Sequence, residues 1–177
     1  MAKKIRKMLG DLNAPETIAL MRLIDTQSRS TICNWCIEYA EKHILPVFEK
    51  NCPDDGRPRK ALNAARNYLE GRTSFTEVKN IILNECHAAA RELNSNPSAQ
   101  AAARTCGQAA AVVHTLSHCL GVYFYGAAAL AYDSLGVNAA DDEYSEFAAR
   151  VCINLTEALQ SIAVENEPNP AKIKWYC

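Results

Sequence analysis

The sequence predicts an all-α fold: one compact bundle of about seven helices packed around a buried, alanine-rich central helix. Three observations predict it. Apolar residues recur at steps of three and four along most of the chain. Cap and stop signals bracket those stretches. No run of alternating Val, Ile, Thr and aromatic residues flanks a tight Asn-Gly or Asp-Gly turn, so strand signals are nearly absent.

Each helix has its own warrant. Asn13-Ala14-Pro15-Glu16 opens the first, with Pro15 in the first turn, where a missing N–H is harmless. The second runs from about Ser30 to Leu45 on the stripe Ile32, Trp35, Cys36, Tyr39 and His43, and Pro46 kinks or restarts it. Residues 51–56 form a loop, and the third helix runs from Arg57-Pro58 to a glycine stop at Gly71. Ser74-Phe-Thr-Glu77 is a capping box for the fourth, whose apolar positions are Phe75, Val78, Ile82, Cys86, Ala89 and Leu93. Asn96 caps the fifth, the alanine-rich stretch that leads to His114. Ser117 caps the sixth, which ends at Gly136; its charge-free stretch 119–132 is the helix expected to be buried on all sides. Asp141 or Asp142 opens the seventh, with Tyr144, Phe147, Val151, Cys152, Leu155, Leu159 and Ile162 on one side. Residues 1–12 read as a lead and 165–177 as an extended tail that Trp175 can anchor, so 1–177 is read as a single helical domain.

Composition narrows the function classes. A chain of 177 residues buries enough surface to fold without a metal or disulfide staple. A net charge of −1 gives no global pull toward nucleic acid or anionic membrane. The charge is uneven: residues 1–72 hold 13 Lys/Arg against 9 Asp/Glu, and residues 133–167 hold 8 acidic residues against Arg150 alone. The eight cysteines are Cys33, Cys36, Cys52, Cys86, Cys106, Cys119, Cys152 and Cys177. No apolar run of signal-peptide length follows the basic start, so the expectation is a cytoplasmic chain with reduced, structural thiols. Cys86 and Cys152 fall in register with apolar stripes and are expected to be buried and free. The stretch 119–132 is 14 residues, short of a membrane span.

Several motifs hold candidate chemistry. His114-Thr-Leu-Ser-His118 places two histidines four apart, where one helix face would present both to a metal. The metallopeptidase pattern needs Glu after the first histidine, and here Thr115 stands there. A third ligand would have to be His87, Glu85 or Cys106. The competing reading is a pair hydrogen-bonded between helices. Cys33-Asn-Trp-Cys36 lacks the second pair of a structural zinc site and the βαβ context of a redox motif, so it reads as core. Asp54-Asp-Gly-Arg-Pro-Arg59 places Asp55, Arg57 and Arg59 at a helix start, as a cap with internal ion pairs or as a polar patch facing a partner. Ala-Ala-Arg ends at Arg66, Arg91, Arg104 and Arg150 without fixed period. Paired alanines permit close helix approach with arginine at the edge; alternatively some of these arginines line a shared polar cleft. Arg91 and Arg104 flank the Asn96-Pro97 turn and are placed on facing helices. Two polar regions are expected, one at Asp54–Arg59 and one around His114 and His118, with Asp54, Asp55, Glu85 and Asp133 as carboxylate partners. No phosphate loop, serine nucleophile elbow or Glu-x-x-His pair occurs, so neither an enzyme nor a cofactor nor a bound metal is expected.

Read in order, Ile44–Glu49, Asp54–Arg59, Ala61–Arg66, Ala88–Arg91, Ala101–Arg104, Gly107–Ala110, His114–His118 and Tyr125–Ala129 resemble the immunity protein family linked to bacterial polymorphic toxin systems, over roughly residues 30–135. The resemblance implies an all-helical cytoplasmic protein that binds and neutralises a cognate toxin protein, with no nucleic acid or membrane partner. It supplies no catalytic residue. The alternatives are a helical metal-binding protein or enzyme using His114 and His118, and a scaffold whose alanine-rich faces pair in a homodimer.

Overall fold

The computed structural model describes residues 5–175; residues 1–4, 176 and 177 lie outside the described residues, Cys177 among them. Helix α1 (Pro15–Ile24) starts at Ala14 with Pro15 in its first turn. Helix α2 (Arg29–Tyr39) starts one residue earlier than its sequence signals suggest, because the Ser28 hydroxyl accepts from Thr31 N–H as the cap. Pro46 has no N–H to give to the preceding turn and its ring crowds that turn's carbonyl. The chain answers with a π-helical turn, Ala40–Ile44, in which Leu45 N–H reaches the Ala40 carbonyl. It then continues as α3 (Leu45–Asn51), so the expected kink is a π-bulge within a continuous rod.

Helix α4 (Arg57–Leu69) ends on Gly71, whose φ of +73° suits glycine. Gly71 N–H donates to the Tyr68 carbonyl and Arg72 N–H to Asn67, the paired bonds of a left-handed stop. Ser74 caps α5 (Phe75–Ile81) by accepting from Glu77 N–H at 3.2 Å. The Glu77 carboxylate accepts from the Thr73 hydroxyl, a side-chain bond in place of the box's reciprocal half. A second π-turn, Ile82–Cys86, joins α5 to α6 (His87–Glu92). Asn96 caps α7 (Pro97–Ala111) as expected, accepting from Ala99 N–H at 3.0 Å. A 3₁₀ turn, Leu116–His118, leads into α8 (Cys119–Leu135), which begins at His118 without a side-chain cap, so Ser117 does not cap it. Helix α9 (Asp141–Gln160) starts at Ala140, whose N–H donates to the Glu143 carboxylate at 2.8 Å. Counting each π-joined pair once gives seven helical rods and no strand among the described residues, with one isolated bridge between Ser28 and Pro170.

The centre is an antiparallel pair, α7 and α8. Ser98 Oγ donates to the Ala129 carbonyl, and Gly126 lets Thr105 and Ile44 approach where a larger residue would stand them off. Helices α2, α3, α4 and α6 pack on α7, while α9 packs on α8 and α1. The sequence places the most enclosed helix at 119–132, where ten of fourteen residues are buried; α7 is enclosed to the same degree, with eleven of fifteen. Helix α7 has neighbours on nearly every side, whereas α8 runs out to solvent at its C-terminal end.

Six of the seven described cysteines are buried. Cys86 and Cys152 are among them, as the stripes predict. Burial pushes the Cys33 and Cys152 thiols up to about 11 and those of Cys86 and Cys119 up to about 12, so they stay protonated and inert. The tail docks on the α1–α2 corner. Ala171 N–H donates to the Gln27 carbonyl, Glu167 accepts from Ser28 N–H and the Thr31 hydroxyl, and Trp175 Nε1 donates to the Asp25 carboxylate at 3.1 Å. Among the described residues no helix is long and apolar enough to cross a membrane.

Candidate functional site

The polar residues fall into two groups that differ in kind, with the α6 rod contributing to both. At the start of α4, Asp55 accepts from the Arg57 backbone N–H at 3.1 Å, from its Nε at 2.9 Å and from its Nη2 at 2.8 Å. That guanidinium holds the Asp55 carboxyl below its usual range. Arg57 also reaches Glu92 on α6 at 2.7 Å. Arg59 forms a two-pronged pair with Glu49 of α3 at 2.6 and 2.8 Å. Lys60 holds Glu85, and Arg66 holds Glu41. This face staples α3, α4 and the second π-joined rod together, and its charges are spent within the fold. Solvent screens such surface pairs, so each adds little to stability. Asp54 stands exposed in the loop, with no ion pair among the described residues.

The second region lies along α7. Only four residues of that helix escape burial: Pro97, Gln100, Arg104 and Gln108. Their three- and four-residue spacing makes one open stripe. Helix α6 walls one side. Gln100 Nε2 donates to the Ala90 carbonyl at 2.9 Å, and the His87 ring lies where a Cβ on Gly107 would stand, 2.6 Å from Cε1. The α8 side is equally close, with Gln108 packed into the space left by Gly121. His118 Nδ1 bonds to Gln108 Oε1 at 2.7 Å, and the His114 and His118 rings meet edge to face at 5.4 Å. Phe75 meets His114 at 5.3 Å and closes that end.

The electrostatics of the stripe are one-sided. Burial lowers His87, with Arg91 and Arg104 adding to the effect. Burial likewise lowers His118, helped by His114 and His87, and lowers His114, helped by Lys79 and Arg29. These rings are therefore mostly neutral near pH 7, each able to donate and accept.

Several expectations need correction. His114 and His118 do not share a helix face: α7 ends at Ala111, and the pair sits in the turn before α8. Among the described residues no three His, Cys, Asp or Glu side chains gather as a metal-ligand set. Of the four carboxylates proposed as arginine partners, only Asp55 holds an arginine; Glu85 takes Lys60 and Asp133 takes Lys50. Arg91 and Arg104 have no hydrogen-bond or ion-pair partner among the described residues, since one is exposed and the other half-exposed, where water solvates them. Both still lie within electrostatic reach of His87. Sequence reasoning passed over Gln108, Tyr125 and the structural part of His87. The signal available was Gly107 and Gly121, two glycines inside helices, each marking a close side-chain approach.

No curated protein matches the chain, and no solved structure matches it. A family model described as "Imm-5 like putative immunity protein" matches residues 22–158, which span α2 through α8, the whole open stripe of α7 and most of α9. The chain belongs to this Imm-5-like immunity protein family.

Proposed function

We propose that this chain is a cytoplasmic binding protein that neutralises a cognate toxin by occlusion and catalyses no reaction of its own. Family membership over residues 22–158 carries the reading. The architecture suits the task. A bundle of capped helices with a docked tail offers a surface that needs little ordering on binding, so less of the contact energy is lost to entropy. Charged groups at the surface speed encounter and select the partner. The test is growth of cells that express a candidate toxin found in this gene's neighbourhood, with and without this chain. Rescue that requires the folded chain is the expected result. Equal growth arrest in both cultures, with the chain present at the toxin's level, contradicts the reading.

A further inference from the structure

We propose that the open stripe of α7 is the docking site for an acidic segment of the partner protein, with Arg104 as its central anchor and Arg91, His87 and His118 around it. The assignment rests on the binding-protein reading above and deepens it.

Arg57, Arg59, Arg66, Lys50 and Lys60 each hold a carboxylate from another element. Arg22, Arg29, Lys42, Lys79, Arg91 and Arg150 hold no carboxylate among the described residues, but all six are exposed; Arg104 differs from them in being half-buried. Arg104 is half-buried with no anion among the described residues, and the ionisable group facing it from α8 is the Tyr125 phenol. Water still reaches this guanidinium, but burial withdraws part of its hydration and no carboxylate of the described residues replaces it. Glu92, held by Arg57, also acts electrostatically on Arg91, and Glu85 holds Lys60, so neither carboxylate serves Arg104. The groups facing His87, His114 and His118 are Arg91, Arg104, Lys79, Arg29 and one another, all cationic or neutral.

Shape agrees with charge. Beside Arg104 a recess of about 120 Å³ is bounded by Ile5, Asn94, Pro97, Gln100 and Tyr132. From Pro97 to Gln108 the helix rises about 16 Å, which matches about five residues of extended peptide. Side-chain carboxylates suit the planar guanidinium fork, which takes them bidentately. A polyphosphate chain is a poorer fit. The stripe is short, aromatic rings close one end, and the chain as a whole carries a net charge of −1 rather than a cationic field.

The test uses the full-length chain and a glutamate-only peptide of about six residues, followed through the ring signals of the four histidines. His87 and His118 should shift on titration, while His43, stacked on Tyr39 away from α7, should not. Binding should weaken about tenfold or more in Arg91→Ala/Arg104→Ala, as expected for loss of charge-assisted bonds. It should persist in Arg150→Ala, which removes an arginine lying over Phe147 on α9. The proposal is overturned if His43 moves as much as His87 and His118. It is equally overturned if the double variant binds unchanged, or if a single-stranded RNA of equal length shifts the rings more strongly than the peptide. Failure of the two readings is distinguishable. A double variant that neutralises toxin as well as the native chain removes this site and leaves the immunity reading intact. Peptide binding at these rings by a chain that neutralises nothing does the reverse.

Discussion

Single polar atoms set among apolar ones decide much of this molecule's behaviour. Trp35 is 2% exposed, and its Nε1–H donates to the Leu155 carbonyl at 3.1 Å. Trp35→Phe retains most of the apolar contact and removes the donor, so it should cost about 1–2 kcal/mol in urea unfolding. A change within error would mean that the bond is not formed in solution. The histidines give a pH signature. Burial lowers all four below the ordinary 6.5, so the unfolded chain takes up protons first as pH falls. Their contribution to stability is complete above about pH 6.5 and is lost as pH drops from there through the folded values. The carboxyls lowered by Arg57, Asp55 and Glu92, act only below about pH 4.5, so the interval between about pH 7.5 and 5 isolates the rings. The urea midpoint should fall across that interval, and less steeply in His118→Gln. A flat profile would show that the rings are solvated in the folded state.

Helices expose a different set of rules. The two rods interrupted by π-turns look alike in space and differ in sequence. Pro46 announces the first, because its ring and missing N–H forbid a regular turn. Ile82–Cys86 contains no such residue; at its end Cys86 and His87 pack against α7. Helix boundaries at Ser74, Asn96 and Gly71 were legible, since each rests on a local hydrogen bond or a left-handed φ. The depth of α7 was not, because hydropathy weighs side-chain size while burial depends on how closely neighbours approach, and alanine scores low on the first and high on the second. Nor was the break after Ala111, which separates His114 and His118 from α7 without any proline or glycine nearby. Ion-pair partners such as Glu49 and Glu92 come from other elements and leave no local trace. The tight α7–α8 packing makes its own prediction. Ala128 is fully buried, and Ala128→Leu should overpack the pair and lower stability by about 1–3 kcal/mol on thermal unfolding. An unaltered melting temperature would mean that the two helices separate easily.

At the scale of the whole molecule, the core runs from Leu9 to Leu159, and Ala171, Ile173 and Trp175 pack against it. The tail's bonds to Gln27, Ser28 and Asp25 tie the end of the chain to its first helical corner. We therefore expect the chain to behave as one domain. Circular dichroism and tryptophan fluorescence, which reports on Trp35 and Trp175, should trace one coincident unfolding transition. Two separated transitions would divide the tail from the bundle. Family membership gives this folded unit a purpose, and the claim that it acts by occlusion fixes a stoichiometry. The most direct measurement is a titration of the purified cognate toxin's activity with the purified chain. Occlusion predicts that activity falls in proportion to added chain and vanishes at equivalence. Inactivation by a small fraction of an equivalent, or full activity in the presence of excess chain, would contradict it.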